Sequence, residues 1–279
     1  MALLISCETY PRRDPAPASP LRVPASPAAP AAPHSPAAVA APVRVPEPEW
    51  EARTAPASPV RVLFLGDSLS IGEFGRTFDR KLRDAGFEVY TSVAGGGTPY
   101  YWLSEYPPVS IDIAYWERTP ASERRLPGIS PVPKLEPLLA KWKPDVVVVQ
   151  TGTNLYAPLR SKKRSKAENT REIESLIEKM CRAVSANGRR QCYWITPPAA
   201  HTERYPKALQ DQMFEIMRHV AGRYGPVFNS RQVTTYTEPY PQSDGIHPGS
   251  TAARKWAEKV ARDFITRFRP NSGRSLPSN

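Results

Sequence analysis

From residue 60 onward, short unbroken apolar runs alternate with stretches in which apolar residues recur every three or four positions. The runs are VRVLFLG (60–66), FEVYTSVA (87–94), four consecutive valines (146–149), CYWIT (192–196) and PVFN (226–229). A short apolar run bounded by turn residues fits a strand covered on both faces. Between the runs, helical spacing predicts helices over 78–85, stopped by Gly86, and over 133–142. A third carries the stripe Ile173, Leu176, Ile177, Met180, Cys181 and Val184 and ends at Asn187-Gly188. A fourth carries Leu209, Met213, Ile216, Met217 and Val220, and a last one Trp256, Val260, Phe264 and Phe268 at spacings of four. Strands alternating with helices predict an α/β fold. The expected form is a three-layer α/β/α sandwich around a five-stranded parallel sheet of flavodoxin type. Residues 98–130 are aromatic, Pro-rich and read as irregular. In open parallel sheets, ligands bind beyond the carboxyl ends of the strands. GDSLS, AGGGTP and TGTN follow the first, second and third runs there.

Composition divides the chain before any motif is considered. Residues 1–59 hold 14 of the 33 prolines, interleaved with Ala and Ser. Such a segment lacks apolar periodicity and backbone donors, so it reads as a disordered, polyproline-like spacer. That leaves 60–270 as one domain and 271–279 as a disordered tail. Arg and acidic residues balance within the spacer, so the net charge of +11 belongs to residues 60–279. Part of it is the run RSKKRSK (160–166). A positive surface attracts nucleic acid, anionic lipid or an anionic polymer, or is a solvated basic loop. No nucleic-acid-binding signature accompanies it, and a monomer with no nucleic-acid partner is expected. No run approaches the ~18 apolar residues of a membrane span. The start, MALLISC, resembles a bacterial lipobox ending in Cys7, without the basic and long apolar regions of a leader. It suggests a lipid tether through Cys7 and an envelope or secreted location; the cytoplasm is the alternative if that start is the true one. Cys181 and Cys192 are candidates for a disulfide in an exported protein. Cys181 also fits a plain core position.

The polar turns raise a chemical question. A serine nucleophile needs a base, a group to orient that base, and donors for the oxyanion. Of the four histidines, His34 lies in the spacer, His219 on a polar helix face, and His201 in a loop after Pro197-Pro198, where it could contact substrate. His247 lies in SDGIHPGS between the last strand and the last helix, with Asp244 three residues earlier. One turn can set that carboxylate against the imidazole, and the imidazole can take a proton from Ser68. The plain alternative is a loop leading into a helix, with Ser250 as its cap.

Taken together, GDSLS, a glycine loop, GTN and DGIH, in that order, resemble the SGNH/GDSL hydrolase superfamily over residues 60–268. NSRQVTTY (229–236) also resembles the approach to the histidine in that superfamily. The resemblance implies Ser68 as nucleophile, His247 as base and Asp244 as its orienter. It implies an oxyanion hole of the Ser68 N–H, a glycine after the second strand and the Asn154 amide. SVAGGGTPYYW looks like a glycine-serine-serine-proline-x-x-tryptophan loop of some bacterial members. That register puts Gly96 in the hole, with Gly97-Thr98 in place of the small polar pair. Asp67 is expected to brace the loop. Neither metal nor other cofactor is called for, since the Asp and His residues form no zinc spacing.

The superfamily implies ester hydrolysis, with lipids, thioesters, simple esters and acetylated sugars as substrates. Tyr100 and Trp102, with Tyr115 and Trp116, lie near the glycine loop in sequence and could stack on sugar rings. Together with the tether, they favour removal of O-acetyl groups from a carbohydrate or envelope polysaccharide. A lipase-type or broad carboxylesterase, with acyl transfer as its variant, remains open. So does a non-catalytic carbohydrate-binding module on the same fold.

Overall fold

The computed structural model describes residues 59–104, 114–128, 131–186 and 188–268. The expected Pro/Ala spacer up to residue 58, Cys7 and the C-terminal tail lie outside the described residues.

All five predicted strands form. They are β1 (Arg61–Gly66), β2 (Glu88–Ala94), β5 (Val146–Gln150), β6 (Gln191–Ile195) and β7 (Val227–Phe228). Every pairing among them is parallel, in the order β2-β1-β5-β6-β7. Their sequences are apolar throughout because both faces are covered, and alternate residues face opposite sides. Leu63, Leu65, Val147 and Val149 pack against one set of helices. These are α4 (Leu135–Trp142), α6 (Lys166–Ser185) and α7 (Lys207–Ala221). Val62, Phe64, Val146 and Val148 pack against α2 (Glu73–Asp84) and α8 (Ser250–Phe268) on the other face.

The expectation of a purely parallel, five-stranded sheet is corrected. The sheet has seven strands and is mixed: β3 (Tyr115–Arg118) pairs antiparallel with β2, and β4 (Glu123–Leu126) pairs antiparallel with β3 at the edge. This hairpin lies inside the stretch read as irregular. Its sequence, YWER…ERRL, hides it, because charged side chains fill the rungs that apolar alternation would mark. Arg124 pairs with Glu117 across the strands at 3.1 Å. Arg118 reaches fully buried Asp79 on α2 at 2.6 Å, and Asp79 also accepts from Thr91 Oγ1 and Arg83. A charged edge strand resists pairing with other chains. Tyr115 and Trp116 are each 1 % exposed and fill opposite faces of the sheet, so neither is open to a sugar ring.

Helix α6 begins well before the apolar stripe at Ile173. Ser165 caps it by accepting from the Glu168 N–H, and Glu168 accepts from the Ser165 N–H at 2.8 Å. This reciprocal capping box starts the helix directly behind the basic run. Cys181 on α6 and Cys192 on β6 are buried free thiols rather than a disulfide. A hydrogen bond to Cys192, together with burial, pushes the Cys181 thiol up. Among the described residues, no helix is long and apolar enough to cross a membrane.

Candidate active site

Ser68 opens the short helix α1 (Ser68–Ile71), directly after β1. The strand delivers it to the carboxyl edge of the sheet, and Asp67 N–H extends the ladder by donating to Gln150 O at 3.1 Å. Gly66 is required at the turn, since a Cβ there would stand 2.4 Å from Ser70 Cβ. Ser70 in turn donates to Gln150 Oε1 at 2.5 Å, so the turn is keyed to the end of β5.

Asp67 caps α1 by accepting from Leu69 N–H at 3.0 Å, and its other oxygen accepts from Thr153 Oγ1 at 2.9 Å. It braces the GDSLS turn against the TGTN loop, as the sequence suggested. The carboxyl is fully buried, and that burial raises its pKa to about 6. The Leu69 N–H, Thr153 and the charge of His247 act in the opposite direction.

His247 arrives from the loop before α8. Its Nε2 lies 2.9 Å from Ser68 Oγ, across 179 residues of sequence. Its Nδ1 meets Asp244 Oδ2 in a short hydrogen bond. Asp244 Oδ1 accepts from the Ile246 and His247 N–H groups, both at 2.9 Å, so the loop's own backbone fixes the carboxylate. Burial alone would pull the His247 pKa down, but the hydrogen bond and charge of Asp244, aided by the charge of Asp67, hold it above its ordinary value. Burial works against ionised Asp244, yet hydrogen bonds from His247 and the loop backbone hold its carboxyl well below the usual range. The arrangement lets His247 take a proton from Ser68 while the anchored Asp244 carboxylate orients the imidazole and stays ionised.

The glycine turn after β2 lies at the same edge. Gly95 N–H donates to Ala114 O, and Gly97 N–H donates to Ala94 O, both at 2.9 Å. Neither commitment extends to the N–H of Gly96, which sits between them with φ of 70°. Asn154 follows Thr153, and its Nδ2 donates to Gly97 O at 3.3 Å, which brings the amide to this turn. A Cβ on Gly97 would press on Ala94 O at 2.8 Å and on the Trp102 ring at 3.0 Å. Trp102 therefore supports the turn from beneath. It is 1 % exposed, which corrects its expected role as a stacking surface for substrate. Tyr100, on the short helix α3 (Pro99–Leu103), is 45 % exposed and keeps an open ring.

His201 sits against the histidine loop. Its N–H donates to Gly245 O at 2.9 Å, and its ring stacks on Tyr240 at 4.9 Å. Sequence reasoning missed Arg204, whose Nη1 donates to Asp244 O at 2.7 Å. It also missed Thr153, the hydroxyl that joins the GDSLS turn to the loop bearing Asn154. Only the adjacency of Thr153 to Asn154 could have hinted at it. A cleft of about 250 Å³ opens beside Ser68 and His247, with Glu73 and Arg76 on its wall. Among the described residues, no three His, Cys, Asp or Glu side chains are grouped to hold a metal ion.

No family model matches the chain, and no curated protein matches it in sequence. Solved structures similar in shape include a carbohydrate esterase family 2 enzyme with a carbohydrate-binding domain from Corynascus thermopiles (Myceliophthora fergusii). It shows 16 % identity and a TM-score of 0.49, with 77 % of this chain and 68 % of that one covered. A variant of an acetyl xylan esterase from Geobacillus stearothermophilus shows 14 % identity and a TM-score of 0.44, covering 78 % and 98 %. The psychrotrophic esterase EstA from Pseudoalteromonas sp. shows 15 % and 0.42, covering 74 % and 98 %. At this level of likeness nothing about activity transfers, and the chemistry is read from the site itself.

Proposed function

We propose that this chain is a serine ester hydrolase of the SGNH/GDSL type that removes O-acetyl groups from a carbohydrate. One observation carries the reading: Ser68 Oγ, His247 and Asp244 form a continuous hydrogen-bonded relay at the carboxyl edge of the sheet. His247 Nε2 takes the Ser68 proton as Oγ attacks the ester carbonyl carbon. The carbonyl oxygen becomes an oxyanion, for which the Ser68 N–H, the Gly96 N–H and the Asn154 amide are the donors. Such a hole is worth about 10²–10³ in rate for each donor. Collapse breaks the bond to the alcohol, and His247 returns the proton to that leaving oxygen. Water, giving its proton to His247, then attacks the acyl-serine carbonyl, releases acetate and restores Ser68.

The acetyl preference is supported by the small cleft beside Ser68, with its charged wall of Glu73 and Arg76, which suits a sugar better than a long acyl chain. Tyr100 offers an exposed ring for a sugar face. The test is hydrolysis of 4-nitrophenyl esters from acetate to octanoate, and release of acetate from acetylated glycans, by the wild type and Ser68→Ala. The expected result is hydrolysis that falls with acyl length and drops by about 10³-fold or more in the variant. Activity rising with chain length would favour a lipase-type enzyme. A folded protein inert on every ester would favour a binding module.

A further inference from the structure

The cleft beside Ser68 and His247 is lined by both an acid and a base, and only the acid is spoken for. Glu73, at the start of α2, accepts from Arg254 Nε at 3.0 Å and from Thr77 Oγ1 at 3.1 Å. Arg76, one helical turn further on, lines the same cleft and is exposed. Among the described residues its guanidinium has no ion pair and no side-chain hydrogen bond. Its charge is felt by Glu73, three residues earlier, but the hydrogen bonds of that carboxylate go to Arg254 and Thr77, so the Arg76 fork keeps its donors for a carboxylate or phosphate that arrives with the ligand.

A second basic feature joins the site from the histidine loop. Arg204 donates to Asp244 O, and Arg160 donates to Arg204 O at 3.1 Å. Arg160 opens the basic run, in which Lys162, Lys163 and Lys166 are exposed. Two hydrogen bonds within the chain thus link the loop that carries His247 to an exposed basic surface, which attracts anions.

We infer that Arg76 reads a negative charge on the alcohol portion of the ester, so the preferred substrate is an acetyl ester of an acidic glycan. The inference rests on the esterase reading above: acetyl carries no charge, so the charge belongs to the sugar. Carboxylate and phosphate share the chemistry that Arg76 recognises.

The experiment uses the full chain on four acetyl esters: 4-nitrophenyl acetate, acetylated xylan, acetylated polygalacturonate and an acetylated phosphomannan. At low salt the wild type is expected to favour an acidic glycan over xylan by about tenfold or more in kcat/KM, the range of one charge-assisted contact. The preference shrinks near 0.5 M NaCl as screening takes hold. R76Q is expected to lower kcat/KM on the acidic glycan about tenfold more than on xylan, mainly through KM, and R76K to recover part of it. The acidic polymer with the larger loss identifies the anion. Equal losses on acidic and neutral glycans, or no charge preference in the wild type, would overturn the inference. If 4-nitrophenyl acetate hydrolysis still depends on Ser68, the esterase reading survives that outcome. Absence of Ser68-dependent hydrolysis on every substrate overturns both.

Discussion

Two aspartates flank the Ser68–His247 pair, and their surroundings set them apart. Asp67, in the turn after β1, is fully buried, and burial raises its pKa to about 6. Asp244, in the loop before α8, is about half exposed, and its carboxyl is held well below the usual range. Asp67 answers to two donors on protein elements that it ties together, Leu69 N–H and Thr153 Oγ1. Asp244 answers to His247 and to its own loop backbone. A dry carboxyl suits bracing, because both its oxygens are committed to the elements it joins. A wet, firmly ionised one suits orienting a histidine that must take up a proton and release it.

Breaking the orienting acid carries the largest expected effect on the proposed activity. Asp244→Asn should lower kcat on 4-nitrophenyl acetate by about 10³–10⁴-fold, because the amide no longer enforces the working tautomer. Thermal stability should fall only modestly, by about 1–2 kcal/mol, since solvent screens this half-exposed carboxylate. A large loss of stability with modest loss of rate would reverse the roles assigned to the two acids.

Asp67→Asn tests the other side through pH. The unfolded chain releases this proton near pH 3.9 and the folded one near 6, so the folded state binds more protons in between. This contribution favours folding below about pH 4, is lost as pH rises to 6, and leaves a cost of about 3 kcal/mol at neutrality. Chemical denaturation from pH 4 to 7 should therefore show a smaller fall in stability for the variant than for the wild type. The same substitution removes an anion that favours protonated His247. The acid limb of kcat/KM, expected above pH 6.5 in the wild type because Asp244 and Asp67 raise the His247 pKa, should move to lower pH.

Thr153→Ala has the smallest effect and sharpens the contrast. It removes one donor from buried Asp67 and should cost about 1–2 kcal/mol at pH 7. The cost should shrink at pH 5, where the carboxyl is protonated, while the corresponding pH dependence is absent for donors to Asp244. A pH-independent loss would mean that Thr153 matters by packing alone.

The central sheet was legible because two-sided burial writes itself as unbroken apolar runs, as in the four valines of β5. The meeting of Ser68, Asp244 and His247 was legible because short motifs follow those runs in the order that the resemblance implies. The β3–β4 hairpin was not: Glu117, Arg118, Glu123 and Arg124 satisfy one another or buried Asp79, and their charges read as loop. Trp102 looked like a surface for sugars because nothing local reveals that its ring fills the space beneath Gly97. Thr153 and Arg204 act through partners 86 and 40 residues away, a distance at which single-chain pattern carries no signal.

The Phe74–Trp256 stack, with centroids 3.6 Å apart, sits where α2 meets α8, the helices that directly follow the Ser68 and His247 segments. On the ribosome, the first of these rings emerges early and the second only near the end of the domain. The two rings belong to opposite ends of the folded unit, so the segments that bring Ser68 and His247 together are clamped by a contact that neither half of the unit can make alone.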